Sequence, residues 1–205
     1  MRRISLTNAA FEGNNNVYVF ADGPETVLID SGYRSDASRA HLTEKLGELG
    51  IALADIDRIF LTHWHGDHSG LSGEIQAESG AEVYVHADDA PLVSGQEDAW
   101  NEMHDTQRML FEEWRMPEEK QQVLFDRMSG WETDETFPSV TTFEDGDAFS
   151  INGEEIRVTH TSGHAAGLSI FETDREGRRE VFSGDALLPK YTPNVGGADV
   201  RAARP

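Results

Sequence analysis

The 205-residue chain contains no cysteine. Disulfides, cysteine–zinc sites and a catalytic thiol are therefore excluded, and any metal must be held by His, Asp and Glu. Lysine is almost as scarce, with only Lys45, Lys120 and Lys190. Thirty-eight acidic residues face 17 basic ones, for a formal net charge of −21. A surface of that sign argues against nucleic-acid binding, which needs a basic footprint. The acids are scattered and not gathered in one tail, so the excess reads as adaptation to high salt, where a strongly hydrated acidic shell keeps a protein soluble. Long apolar runs are missing too. None approaches the roughly 20 residues of a membrane span. The basic start Met1-Arg2-Arg3 has no apolar stretch behind it and does not read as a signal peptide. The expectation is one cytoplasmic domain, without a membrane partner, large enough to be held by its own core.

The remaining pattern is β-rich with a few helices. Residues 17–21 and 26–30 are apolar runs around Asp22-Gly23-Pro24, which predicts a hairpin. Residues 35–49 read as a helix with Leu42, Leu46 and Leu49 on one face and Gly50 ending it. Residues 57–61 read as a buried strand, 71–79 as a helix before Gly80, and 82–85 as another strand. From about 88 to 137 the character changes. Trp100, Met103, Gln107, Leu110, Phe111 and Trp114 recur at helical spacing, and Pro117 can open a second helix that Ser129-Gly130 closes. This predicts a two-helix insertion packed against the body. Strands return at 140–143, 148–151, 156–160, 168–172 and 181–183, with turns at Gly146, Gly153 and 174–178. No internal repeat or linker interrupts the pattern, and an α/β (α+β) layered domain is expected.

The strand at 57–61 runs straight into Thr62-His63-Trp64-His65-Gly66-Asp67-His68. Two histidines two apart project to the same side of an extended segment. Asp67 and His68 follow across Gly66, which is expected to let the chain turn. One loop at the end of a rigid strand can thus aim four donors into a small volume. Imidazole with carboxylate suits zinc, and also iron or manganese.

His63-x-His65-x-Asp67-His68 resembles the signature of the metallo-β-lactamase superfamily. Three further segments extend the resemblance over nearly the whole chain, in the family's order. They are Leu28-Ile29-Asp30-Ser31-Gly32, Thr161-Ser162-Gly163-His164-Ala165-Ala166-Gly167 and Phe182-Ser183-Gly184-Asp185. The resemblance implies a four-layer αββα sandwich with metals at one edge. It implies that His63, His65 and His164 hold a first zinc, and that Asp67, His68 and Asp185 hold a second, with Asp185 bridging. It implies a metal-bound hydroxide as nucleophile, and Asp67 is placed to orient it or accept its proton. Asp30 is expected to accept hydrogen bonds from loop N–H groups and brace the metal loop. His41 is expected on the surface and His160 near the site, while His86 and His104 are not expected to be ligands.

The chain departs from the family pattern in one place. Two-metal members usually carry a last His well beyond the bridging Asp, and no His follows His164 here. The last strands and helix of the sandwich also have no residues to form them, so the domain reads as C-terminally incomplete. The chain is similar to the general hydrolases related to glyoxalase II, which implies a thioester, ester or related small-molecule substrate. The insertion and Thr192-Pro193-Asn194 favour that over a true β-lactamase. A mononuclear iron persulfide dioxygenase of the same fold is the alternative, with iron as its metal. Diiron oxygen reductases usually carry Glu where His65 stands, a nuclease role conflicts with the acidic surface, and an inactive fragment is the remaining possibility.

Overall fold

A computed structural model describes the chain except residues 8–12, 129–135, 191, 196–198, 200 and 202–205, and only the backbone of 126–128. Among the described residues ten strands form two sheets. β1 (Arg2–Thr7), β2 (Asn14–Phe20), β3 (Val27–Ile29), β4 (Arg58–Phe60), β5 (Glu82–His86) and β6 (Val140–Phe143) lie side by side in that order. The first three pair antiparallel and β3 to β6 pair parallel. The second sheet is antiparallel, ordered β10 (Arg178–Phe182), β9 (Ser169–Arg175), β8 (Glu154–His160), β7 (Ala148–Ile151).

The central strand β3 is buried at all three residues because both of its faces are covered. Val27 and Ile29 point into the space between the sheets, with Phe60, Phe143, Phe171 and Phe182. The rings meet edge to face, Phe60 and Phe143 each crossing Phe171 at 5.8 and 5.6 Å between centroids. Leu28 and Ile59 point the other way, onto helices.

Those helices are α1 (Asp36–Gly47), α2 (Gly66–Ser69), α3 (Ser72–Ser79), α4 (Ala90–Val93), α5 (Glu97–Glu113) and α6 (Glu118–Met128). Ser35 caps α1, its side chain accepting from the Ser38 N–H at 3.1 Å. Leu42 and Leu46 are buried, but Leu49 lies past the end of α1 and is 41% exposed. The expected apolar face stops short of Leu49 because the helix ends at Gly47. The insertion is present as α5 and α6, preceded by the short α4. Trp100, Met103, Gln107 and Phe111 of α5 are buried, whereas Trp114, at its C-cap, is 61% exposed. Pro117 opens α6 as expected, its carbonyl accepting from the Lys120 and Gln121 N–H groups. The expected stop at Ser129-Gly130 lies outside the described residues.

Three layers of the αββα sandwich are thus present: helices, six-stranded sheet, four-stranded sheet. Among the described residues the outer face of the second sheet carries exposed Glu155, Arg157 and Val181 and no helix. No described helix is long and apolar enough to cross a membrane.

The β7–β8 hairpin turns on Asn152-Gly153, both at positive φ (52° and 86°), the two-residue geometry that Asn-Gly favours. The Asn152 amide also joins the two sheets. Its Oδ1 accepts from the Glu25 N–H at 3.0 Å and its Nδ2 donates to the Glu25 carbonyl at 2.9 Å. Asn152→Ala, which loses both bonds and the tolerance for positive φ, should destabilise the protein by about 2 kcal/mol in urea unfolding. Asn152→Gly, which restores the turn but not the staple, should lose roughly half as much.

Candidate metal centre

β3 and β4 run parallel, so their C-terminal ends open on the same edge of the sheet. β3 delivers Asp30 there and β4 delivers Leu61, Thr62 and the histidine loop. β8 ends on the same side of the second sheet and leads into the loop of His164. The two loops are joined through the Ser169 N–H, which donates to the Thr62 carbonyl at 2.9 Å.

Asp30 lies in the left-handed region (φ 59°) and is buried. Its Oδ1 accepts from the Thr62 N–H at 2.8 Å and from Thr62 Oγ1 at 3.0 Å. Its Oδ2 accepts from His68 Nδ1 at 2.8 Å. The Thr62 hydroxyl, donating to Asp30, in turn accepts from His63 Nδ1 at 3.1 Å. Asp30 therefore sets the tautomer of His68 directly and of His63 through Thr62. With Nδ1 so engaged, Nε2 is the nitrogen that each ring turns toward the centre. His164 is set the same way, its Nδ1 donating to the Asn194 carbonyl at 2.9 Å, which leaves Nε2 for the centre.

These nitrogens converge. His65 Nδ1 stands 2.9 Å from His63 Nε2 and 2.9 Å from His164 Nε2. Ring nitrogens bound at ~2.0–2.1 Å to a tetrahedral zinc stand about 3.3 Å apart, so the trio is spaced for a shared ion. Burial, aided by the neighbouring imidazoles, pushes the His63 pKa well below its ordinary value and that of His65 down to about 3. Neutral imidazole is the form that binds metal.

Around His68 the electrostatics reverse. Burial pulls its pKa down, but Asp30 and Asp67, together with Asp185, overcome it and hold the group well above its ordinary range. Three carboxylates around one imidazole favour positive charge at this point, which a divalent cation would also supply. His68 Nε2 lies 3.2 Å from Asp185 Oδ1 and 3.7 Å from Asp67 Oδ2, while Asp185 Oδ2 lies 3.4 Å from His164 Nε2. Asp185 thus has one oxygen toward each set of donors. Burial alone would raise its pKa, but the hydrogen bond and charge of His68 outweigh that and lower it. The donor sets His63, His65, His164 and His63, His68, Asp185 each fall within the reach of one ion, and their chemistry fits zinc. Asp67 lies farther out and is held by Asn15 Nδ2, which donates to its Oδ2 at 2.9 Å.

Gly66 does not make the turn expected of it. It opens α2 with an ordinary φ, and the helix itself brings Asp67 and His68 back toward His63. The close approach occurs at Gly70, where an added Cβ would stand 2.5 Å from the Arg34 nitrogen. His41 is half-buried on α1, and His104 sits on α5 near Trp100 and Phe125. His160 Nε2 donates to the Ala166 carbonyl at 2.8 Å, supporting the His164 loop. His86, Asp88 and His160 also come together, but the two rings stack at 4.0 Å and 19°. His86 Nδ1 already accepts from the Asp88 N–H at 3.2 Å, and His160 Nε2 is taken up by the Ala166 carbonyl.

The spacing of motifs gives no sign of a brace formed by Asp89, Asp199 and Arg201. Asp89 is fully buried, and its carboxylate accepts from the Trp64 N–H at 3.1 Å and the Gly167 N–H at 2.9 Å, tying the two histidine loops together. Asp199 accepts from Trp64 Nε1 at 2.9 Å and the Ala166 N–H at 2.8 Å. Arg201 donates to both carboxylates. Burial, against the opposing pull of Arg201, raises the Asp89 pKa to about 6. A buried acid far along the chain from its partners has no local signature. Trp100 of the insertion packs edge-on against Trp64 at 5.5 Å.

Asp30→Asn keeps the shape but turns a donor amide toward either Thr62 or His68. It should lower the stability of the metal-free protein by about 3 kcal/mol in denaturant titration, and an unchanged midpoint would refute the bracing role.

A family model described as the metallo-beta-lactamase superfamily matches residues 10–204. A metallo-beta-lactamase family protein of Thermus thermophilus superposes with a TM-score of 0.78 at 30% identity, over 95% of this chain and 62% of that one. A subclass B3 metallo-beta-lactamase of Bradyrhizobium japonicum superposes at TM-score 0.58 and 22% identity, over 92% of this chain and 64% of that one, a likeness of fold. Among curated proteins, an atrochrysone carboxyl ACP thioesterase of Passalora fulva is 25% identical over 187 residues, 90% of this chain and 41% of the relative. A lactamase-like protein, notP, of an Aspergillus species is 25% identical over 180 residues, 88% of this chain and 40% of the relative. The chain therefore spans about two fifths of the length of these curated relatives.

Proposed function

Because this chain belongs to the metallo-beta-lactamase superfamily, we propose that it is a metal-dependent hydrolase acting on a small-molecule thioester or related ester. The observation that carries this reading is Asp185, whose two oxygens face His164 and His68 at 3.4 and 3.2 Å. One carboxylate shared between two donor sets is the arrangement a pair of ions would use. His63, His65 and His164 are assigned to a first zinc. Asp67, His68 and Asp185 are assigned to a second. The thioester class is supported by a relative named as an ACP thioesterase at 25% identity.

Ions held there would lower the pKa of water to about 7 and polarise the substrate's carbonyl oxygen. The protein's own groups do the rest. Asp67, anchored at Oδ2 by Asn15, accepts the proton of the attacking water and returns it to the leaving thiolate. Asp30 keeps His63 and His68 in one tautomer, so their Nε2 atoms stay directed at the centre through the reaction.

The test is metal analysis joined to an activity screen in high salt, the condition suited to the acidic surface. The protein should carry about two zinc ions per chain and hydrolyse acyl thioesters. Chelation should abolish the activity and zinc should restore it. His63→Ala should lower kcat/KM by roughly 100-fold or more. Stoichiometric iron, no hydrolysis, and sulfite formed from glutathione persulfide would overturn the hydrolase in favour of a persulfide dioxygenase.

A further inference from the structure

The second donor set has a neighbour that belongs to neither histidine loop. β2 runs antiparallel to β3, and the last pair of that register is Tyr18 with Ile29. The residues of β2 before Tyr18 therefore continue past the end of β3, over the edge where β4 delivers the histidine loop. Asn15, three residues before Tyr18, lies about 10 Å further along at the rise of an extended strand. That carries its side chain to the second donor set. Its Nδ2 is 2.9 Å from Asp67 Oδ2 and 3.3 Å from His68 Nε2.

Two features of this contact point beyond packing. First, Asp67, assigned to the second ion, stands outside the cluster of His63, His68 and Asp185, at 3.7 Å from His68 Nε2 against 3.2 Å for Asp185. Asp67 sits on α2, a helix of four residues, so little in its own element holds its side chain in place. Second, an amide donating to a carboxylate is a charge-assisted bond, stronger than one between neutral groups. It directs the carboxylate without removing its charge, which a lysine or arginine in the same place would offset.

We infer that Asn15 is a positioning residue of the second ion site, acting through Asp67. It fixes the Asp67 carboxylate by donating to Oδ2, and thereby sets the affinity of the second ion while leaving the first untouched. The inference rests on the two-ion reading given above. It adds a residue from the opposite end of the domain's sequence to a site otherwise built by the segments around 67, 68 and 185.

Zinc titration against a chromophoric chelator, on the full chain in high salt, reads both ions separately and needs no substrate. Wild type should bind two zinc ions. Asn15→Ala should weaken the second by about tenfold and leave the first unchanged, the usual effect of removing a group that orients a ligand. Asn15→Asp removes the donor and sets a like charge against Asp67, so it should weaken the second ion at least as much. Each metal-free variant should still unfold in one cooperative thermal transition, which separates the effect from misfolding. Unchanged second-ion affinity in Asn15→Ala would overturn the role of Asn15 alone. An Asn15→Asp variant that binds the second ion as tightly as wild type, or more tightly, would overturn positioning in favour of direct ligation. Wild type binding a single ion would overturn the two-ion reading, and the inference with it.

Discussion

Asp30 brings a carboxylate into the interior at the end of β3, where the chain is held in the left-handed region. A buried charge of that kind is tolerated only when its lone pairs are taken up by donors. The donors here are the backbone and hydroxyl of Thr62 and the Nδ1 of His68. Satisfying the carboxylate therefore fixes the start of the histidine loop, the rotation of the His68 ring and, through the Thr62 hydroxyl, the tautomer of His63. The rest of the centre is built outward from that point. With His63 and His68 set, His65 and His164 can approach His63 to within one ion's reach, and Asp185 can face both sets of donors.

The two donor sets have opposite electrostatic character within a few ångströms. Around His63 and His65 burial dominates, and the imidazoles are kept neutral. Around His68 the carboxylates dominate and favour positive charge. The first set offers an ion three imidazole nitrogens, and the second offers it compensation for charge. The same segment supplies both, because His63 and His65 lie on the extended part of the loop while Asp67 and His68 lie on the first turn of α2.

Packing behind the loop keeps these positions. Trp64, between His63 and His65, is buried against Trp100 of the insertion and hydrogen-bonded to Asp199. Asp89 holds the backbone of both histidine loops, and Arg201 offsets the charge of Asp89 and Asp199 together. The insertion thus contributes to the centre from behind, as a wall for the loop.

Much of this is legible in the order of residues. The strand-to-histidine junction, the four donors from 63 to 68, His164 and Asp185, the bracing carboxylate at Asp30 and the two long helices of the insertion all follow from local pattern or motif. Such features are written in short stretches, where period, capping and spacing act on neighbours in sequence. Leu49 and Trp114 depart from the expected faces because a periodic pattern can continue after the helix has ended. The turn expected at Gly66 is made by α2 itself, while Gly70 is the glycine that the approach of Arg34 requires. Asn15, Asp89, Asp199 and Arg201 are not legible at all. Asn15 reaches Asp67 across 52 residues and Asp199 reaches Trp64 across 135, and a buried polar contact leaves no trace in the residues beside it. The sequence by itself determined which atoms can bind a metal. Only the tertiary structure decided which of them meet, because convergence depends on two sheets opening their strand ends on one edge, and on buried carboxylates whose donors come from distant parts of the chain.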